Sequence, residues 1–81
     1  MNNKKFLEEI NSNIIWNKEE DESYRIYSND NKSSITATFV DEYILITHSS
    51  INKDELGCKK FKLSEKENIS IWYSKCLNKL Y

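Results

Sequence analysis

The segment SSITATFVDEYILITH, from Ser33 to His48, decides the fold. It is rich in β-branched residues, and apolar positions alternate on both sides of Asp41-Glu42, the pattern of two half-buried strands joined by a tight turn. That turn lacks the glycine of an ideal two-residue hairpin. It nevertheless sets Phe39 opposite Ile44, Ala37 opposite Ile46 and Ile35 opposite His48, all on one face. Upstream, Ser23 to Ser28 alternates in the same way. A polar turn at Asn29 to Lys32 then places Tyr24 beside Ala37 and Ile26 beside Ile35. One face therefore reads Tyr24, Ile26, Ile35, Ala37, Phe39, Ile44 and Ile46, and this is the expected core. The links between these strands, which run to Tyr43–His48, are too short for parallel crossovers, so the sheet is antiparallel.

Helices are expected on either side. Phe6, Leu7, Ile10 and Ile14 share one helical face over Asn3 to Ser12, with Lys4, Lys5, Glu8 and Glu9 around it. Asn2 or Asn3 can cap the start, Lys4 and Lys5 oppose the helix dipole there, and Asn11 and Asn13 supply the stop. Ile14-Ile15-Trp16 reads either as a short strand or as the lead-in to the sheet. Ser49 to Gly57 is a polar connection, with room for a helical turn ending at Gly57, the sole glycine. Cys58 to Leu63 adds one more strand. Ser64-Glu65-Lys66-Glu67 has the spacing of a capping box, and Ile69, Trp72, Tyr73, Cys76, Leu77 and Leu80 follow as an apolar helical stripe. Lys75 and Lys79 suit its last turns. The expectation is one α+β domain over residues 1–81: a three- to four-stranded antiparallel sheet flanked by an N-terminal and a C-terminal helix.

A chain of 81 residues buries about 60–65% of the surface its unfolded form exposes. That leaves room for a groove or an open face, and little for a deep pocket of ~300–1,000 Å³. An enzyme is therefore the less expected class, and no catalytic, metal-binding or cofactor-binding residue is assigned. His48 could pair with Ser49 or Cys58 as base and nucleophile, but nothing in the sequence orients it, and a surface or strand-end histidine is the plainer reading. The carboxylates pair only as loop neighbours, and no DxDxDG spacing for calcium occurs. Cys58 and Cys76 form no CxxC, and one histidine cannot complete a four-ligand zinc site, so two reduced thiols are expected. No run is apolar enough for a membrane span or a signal peptide, which places the chain in the cytoplasm of its cell.

Three surfaces remain. Glu19-Glu20-Asp21-Glu22 is either a solvated loop tip or an acidic contact for a basic partner. Charge is also split along the chain, with six basic and eleven acidic residues in 1–56 against six basic and two acidic in 57–81. Lys59, Lys60, Lys62, Lys66, Lys75 and Lys79 make a basic region near Trp72 and Tyr73. This suits a nucleic acid, a charged protein partner or head-to-tail self-association. Against nucleic acid stand a pI near 5.8 and a single arginine, Arg25. The third surface is the reverse of the sheet, with Arg25, Tyr27, Thr36, Thr38, Val40, Tyr43, Leu45 and Thr47. Two helices cannot easily cover both faces, so this one is either an open interface or a second small core over which a helix or Trp16 folds.

Asn, Ile and Ser each occur ten times and Lys eleven, against one Gly, one Ala, one Arg and no Pro. Residues with AT-rich codons dominate, which points to a low-GC bacterium or to a phage or plasmid within one. This small, Gly- and Pro-poor, acidic-leaning build resembles phage-encoded inhibitor proteins of the anti-CRISPR type, and small antitoxins and immunity proteins share it. The resemblance lies in overall build, and no motif carries it. It implies stoichiometric binding to a larger host protein or nucleoprotein complex, without turnover and without a cofactor. On that reading the contacts fall on Arg25, Tyr27, Thr36, Thr38, Tyr43 and Leu45 together with Glu19, Glu20, Asp21 and Glu22. The alternative is a nucleic-acid-binding or regulatory module using the six lysines.

Overall fold

The computed structural model describes residues 3–11, 14, 16–52 and 54–80. In chain order it comprises α1 (Asn3–Ile10), β1 (Asn17–Lys18), β2 (Tyr24–Tyr27), β3 (Ser33–Val40), β4 (Tyr43–Ser50), β5 (Gly57–Lys62) and α2 (Lys66–Leu80). The strands form one antiparallel sheet in the order β1-β2-β3-β4-β5, a meander in which each strand pairs with its neighbour in sequence. The fold is α+β, with five strands rather than three to four. The additional strand is Asn17–Lys18, whose two residues are exposed and lack the alternation that marks the others.

The expected register is present in the hairpins. Phe39 faces Ile44, Ala37 faces Ile46 and Ile35 faces His48, and Tyr24 and Ile26 lie against Ala37 and Ile35. Asp41 supplies what the missing glycine would have, taking a φ of 54° in the β3–β4 turn. In the β2–β3 turn Asn31 does the same at 59°. There the Ser28 hydroxyl donates to Asp30 Oδ1 (2.7 Å), which also accepts the Lys32 N–H (3.0 Å), so side chains close the turn.

Both helices pack on the same face of the sheet. Phe6 and Leu7 of α1, and Ile69, Trp72, Tyr73, Cys76 and Leu80 of α2, are buried against Tyr24, Ile26, Ile35, Ala37, Ile44 and Ile46. Trp16 belongs to this core and stacks on Tyr73, ring centroids 5.5 Å apart. It is therefore a lead-in residue directed to the helix side, and it does not cover the reverse of the sheet. Phe6 and Tyr24 both meet Phe39 edge-on, at 5.8 and 6.2 Å.

Several local expectations are corrected. The first helix ends at Ile10, and its expected cap Asn2, end Ser12 and stop Asn13 lie outside the described residues, as does Ile15. β4 runs on to Ser50. The second helix begins two residues after Ser64, because Glu65 accepts its first intrahelical bond from Ile69 N–H (3.0 Å). Glu65 is thus the N-cap: one carboxylate oxygen accepts the Lys62 N–H (2.9 Å) and the other the Asn68 side-chain amide (3.2 Å). Gly57 does take a left-handed φ, 87°, but as the first residue of β5, and no helical turn occurs among the described residues of 51–56.

Candidate interaction face

Because both helices lie on one side, the reverse of the sheet carries no covering element among the described residues. Alternation sends Arg25 and Tyr27 of β2, Thr36, Thr38 and Val40 of β3, and Tyr43, Leu45 and Thr47 of β4 to this side. None of them is buried. Tyr27 and Val40 are 42% and 48% exposed, and the others are half-buried by their sheet neighbours alone. Across the strands they form rows: Asn17, Arg25, Thr36, Thr47 and Cys58; Thr38, Leu45 and Lys60; Val40, Tyr43 and Lys62.

One margin of the face is organised by hydrogen bonds. Arg25 Nε donates to Thr36 Oγ1 (3.1 Å) and Arg25 Nη1 to the Tyr27 hydroxyl (3.4 Å), which itself donates to Glu19 Oε1 (3.3 Å). The Tyr27 contact, followed by the charges of Glu19 and Asp21, holds the guanidinium proton more firmly than usual. The acidic run turns out to be the tip of the β1–β2 hairpin, so it adjoins this margin. Glu19 N–H donates to the Ser23 carbonyl (2.8 Å), and Glu22 takes a φ of 69°. Asp21 accepts the Ser23 hydroxyl and N–H, which lower its pKa, and Glu22 pairs with Lys18 at 3.1 Å. Glu20 projects into solvent.

The six lysines are not brought together. Lys60 lies over the Tyr43 ring (4.2 Å), and Lys62 stands opposite Tyr43, both on the open face. Lys59 lies over Trp72 (4.8 Å) on the helix side, where Lys75, Phe61 and Ile71 complete a shallow groove of about 210 Å³. Lys66 pairs with Glu9 (3.4 Å) and Lys79 with Asp54 (3.6 Å), at opposite ends of α2. Of the six lysines only Lys59 and Lys75 adjoin Trp72, and Trp72 and Tyr73 are themselves buried.

His48 is corrected from a surface or strand-end position to the interior of β4, 1% exposed. Its Nδ1 accepts the Leu56 N–H (3.1 Å) and fastens the β4–β5 connection. Ser49 points to the opposite face, as does Cys58, which pairs with Thr47, so neither is placed as a nucleophile for this imidazole. No group of three metal-ligating side chains occurs among the described residues. A hollow of about 220 Å³ at the far end of the open face is lined by Tyr27, Lys32, Ser34, Ser49 and Ile51. Ile51, 71% exposed, was not anticipated as part of any surface, and its one signal is an isolated apolar residue in a polar connection. No family model, curated protein or solved structure matches the chain. No helix among the described residues is long and apolar enough to cross a membrane.

Proposed function

We propose that the protein is a small, non-enzymatic inhibitor of the anti-CRISPR type, carried by a phage or other mobile element of a low-GC bacterium. It acts in the host cytoplasm by binding a larger defence protein or nucleoprotein complex in fixed stoichiometry. The observation that carries this reading is the uncovered sheet face, on which Tyr27, Val40, Tyr43 and Leu45 stand among threonines beside Arg25. A face meant only for solvent would carry Lys and Glu at these positions. Tyr, Leu and Val among threonines, with Arg25 at one margin and Lys60 and Lys62 at the other, are the composition of an interface core with a polar rim. The Glu19–Glu22 hairpin tip adjoins it as an acidic rim, suited to a surface that ordinarily holds nucleic acid phosphates.

The test is co-purification of the tagged chain with a CRISPR effector complex from a low-GC host, followed by nuclease assay. Wild type should form a stable complex and inhibit, Tyr43→Ala and Leu45→Arg should each weaken it about tenfold or more, and Glu20→Lys should slow association at low salt. Neither substitution on the face should alter the fold, since both side chains are half-exposed. Strong, salt-sensitive binding of the free chain to generic DNA or RNA, with no protein complex, would instead support the nucleic-acid alternative.

A further inference from the structure

The outer edge of β5 is a second surface, which borders the open face at Lys60 and Lys62. The β3–β4 turn has two residues, so its closing pair Val40 and Tyr43 is hydrogen-bonded, and Tyr43 turns its backbone groups to β3. Alternation along β4 then directs Ile44, Ile46 and His48 to β5, where their partners are Phe61, Lys59 and Gly57. It follows that Cys58, Lys60 and Lys62 turn their N–H and C=O groups away from the sheet. Those of Lys62 are occupied by the Glu65 carboxylate and the Glu65 N–H. Those of Cys58 and Lys60 face outward at the edge, and no described element lies beyond them.

An unpaired edge is ordinarily protected by brevity, proline, a bulge or charge. Here β5 is a regular six-residue strand with lysines as its only guard. Lys60 and Lys62 flank it on the open-face side and Lys59 and Lys75 on the helix side. Lys59 and Lys60 are seated over aromatic rings, whereas Lys66 and Lys79 are paired with carboxylates. Ring contacts position an ammonium without neutralising it. Beside the edge, the groove between β5 and α2 exposes Ile71 (53%) together with Phe61.

We propose that this edge docks an acidic, extended segment of another protein as a sixth strand. The segment bonds to the backbone of Cys58 and Lys60, sets alternate apolar side chains over Ile71 and Phe61, and presents carboxylates to Lys60 and Lys62. A second copy of β5 is a poor occupant, because pairing would bring the same lysines face to face. The chain's own run of four acids is folded into a closed turn at Glu19–Glu22 and is not an extended segment of the kind that would add a strand. A nucleic acid would use the lysines but leave the backbone groups unpaired.

The test titrates the full, isotope-labelled chain with a short synthetic peptide alternating glutamate and valine, observed by NMR. The expected result is movement of the Cys58 and Lys60 amide signals and slower exchange of those amides with solvent. The same peptide N-methylated on the bonding edge keeps every charge and should bind about tenfold or more weakly. Lys60→Gln should weaken binding through charge alone. Lys60→Pro also removes the outward N–H, at an edge position where proline is tolerated, and should weaken it further. If Lys60→Pro does not fold, the methylated peptide decides alone. No response at Cys58 and Lys60, or equal binding of the methylated peptide, overturns the proposal. So does an equal response to single-stranded oligothymidylate, which would mark the site as a polyanion trap.

Discussion

The Trp72 indole Nε1 donates to the Ile46 carbonyl at 2.9 Å, joining the middle of α2 to the central part of β4. The same ring lies under Lys59, so one side chain fixes the helix to the sheet and positions a charge at the edge. Trp72→Phe keeps most of the ring volume and loses the hydrogen bond. It should destabilise by about 1–3 kcal/mol in urea unfolding, and Trp72→Ala by about 3–5 kcal/mol.

Gly57 holds a φ of 87°, and a Cβ built there would meet no atom within 4 Å. Any cost of Gly57→Ala is therefore conformational and not steric. A loss of about 1–2 kcal/mol is expected, without change in the NMR signals of the helix-side core. A larger loss, with the core signals shifted, would mean that the β4–β5 connection depends on more than this φ.

Acid should loosen the turns before it reaches the core. Asp30 is held below its ordinary 3.8 by the Ser28 hydroxyl and then the Lys32 N–H. Glu65 is held below 4.5 by the Lys62 N–H and then the Asn68 amide, and Asp21 and Asp54 are lowered in the same sense by Ser23 and Ser50. A folded-state pKa below the unfolded one stabilises above the unfolded value, and the benefit is lost as pH falls through the folded one. Urea midpoints should thus be flat near neutrality and fall below about pH 4, with a shallower fall in Asp30→Asn.

The two thiols should separate cleanly. Cys58 is exposed on β5, whereas Cys76 is fully buried and its thiol is pushed up to about 11 by burial. A disulfide reagent near pH 8 should modify Cys58 promptly and Cys76 only upon unfolding, because the thiolate is the reactive form. Equal labelling of both in the native state would contradict the packing of α2.

The sheet was readable because its signal is periodic. Alternation from Tyr24 to Ile46 fixes both faces at once, and a one-residue slip would have buried Arg25 and Thr36. The β1 strand was not readable, since two exposed polar residues carry no period, and their pairing is imposed by the Glu19–Glu22 turn and by the burial of Trp16. The cap at Glu65 displaced Ser64 for a tertiary reason, because its carboxylate reaches back to the Lys62 N–H at the end of β5. Burial of His48 followed from its place in the strand pattern opposite Ile35, although a lone histidine among Thr47, Ser49 and Ser50 looks like surface. The scatter of the lysines could not be read from spacing, because it depends on where α2 crosses the sheet.

The meander has a bearing on how the chain is made. Each strand pairs with the one just synthesised, so hairpins can close in sequence as the polypeptide leaves the ribosome, with short loops and little entropy to overcome. The apolar face of Ile35, Ala37, Ile44 and Ile46 has only α1 and Trp16 to cover part of it until α2, translated after all five strands, arrives. Until that helix docks the new sheet is a transient sticky surface, exposed for as long as Lys66–Leu80 stays unfolded.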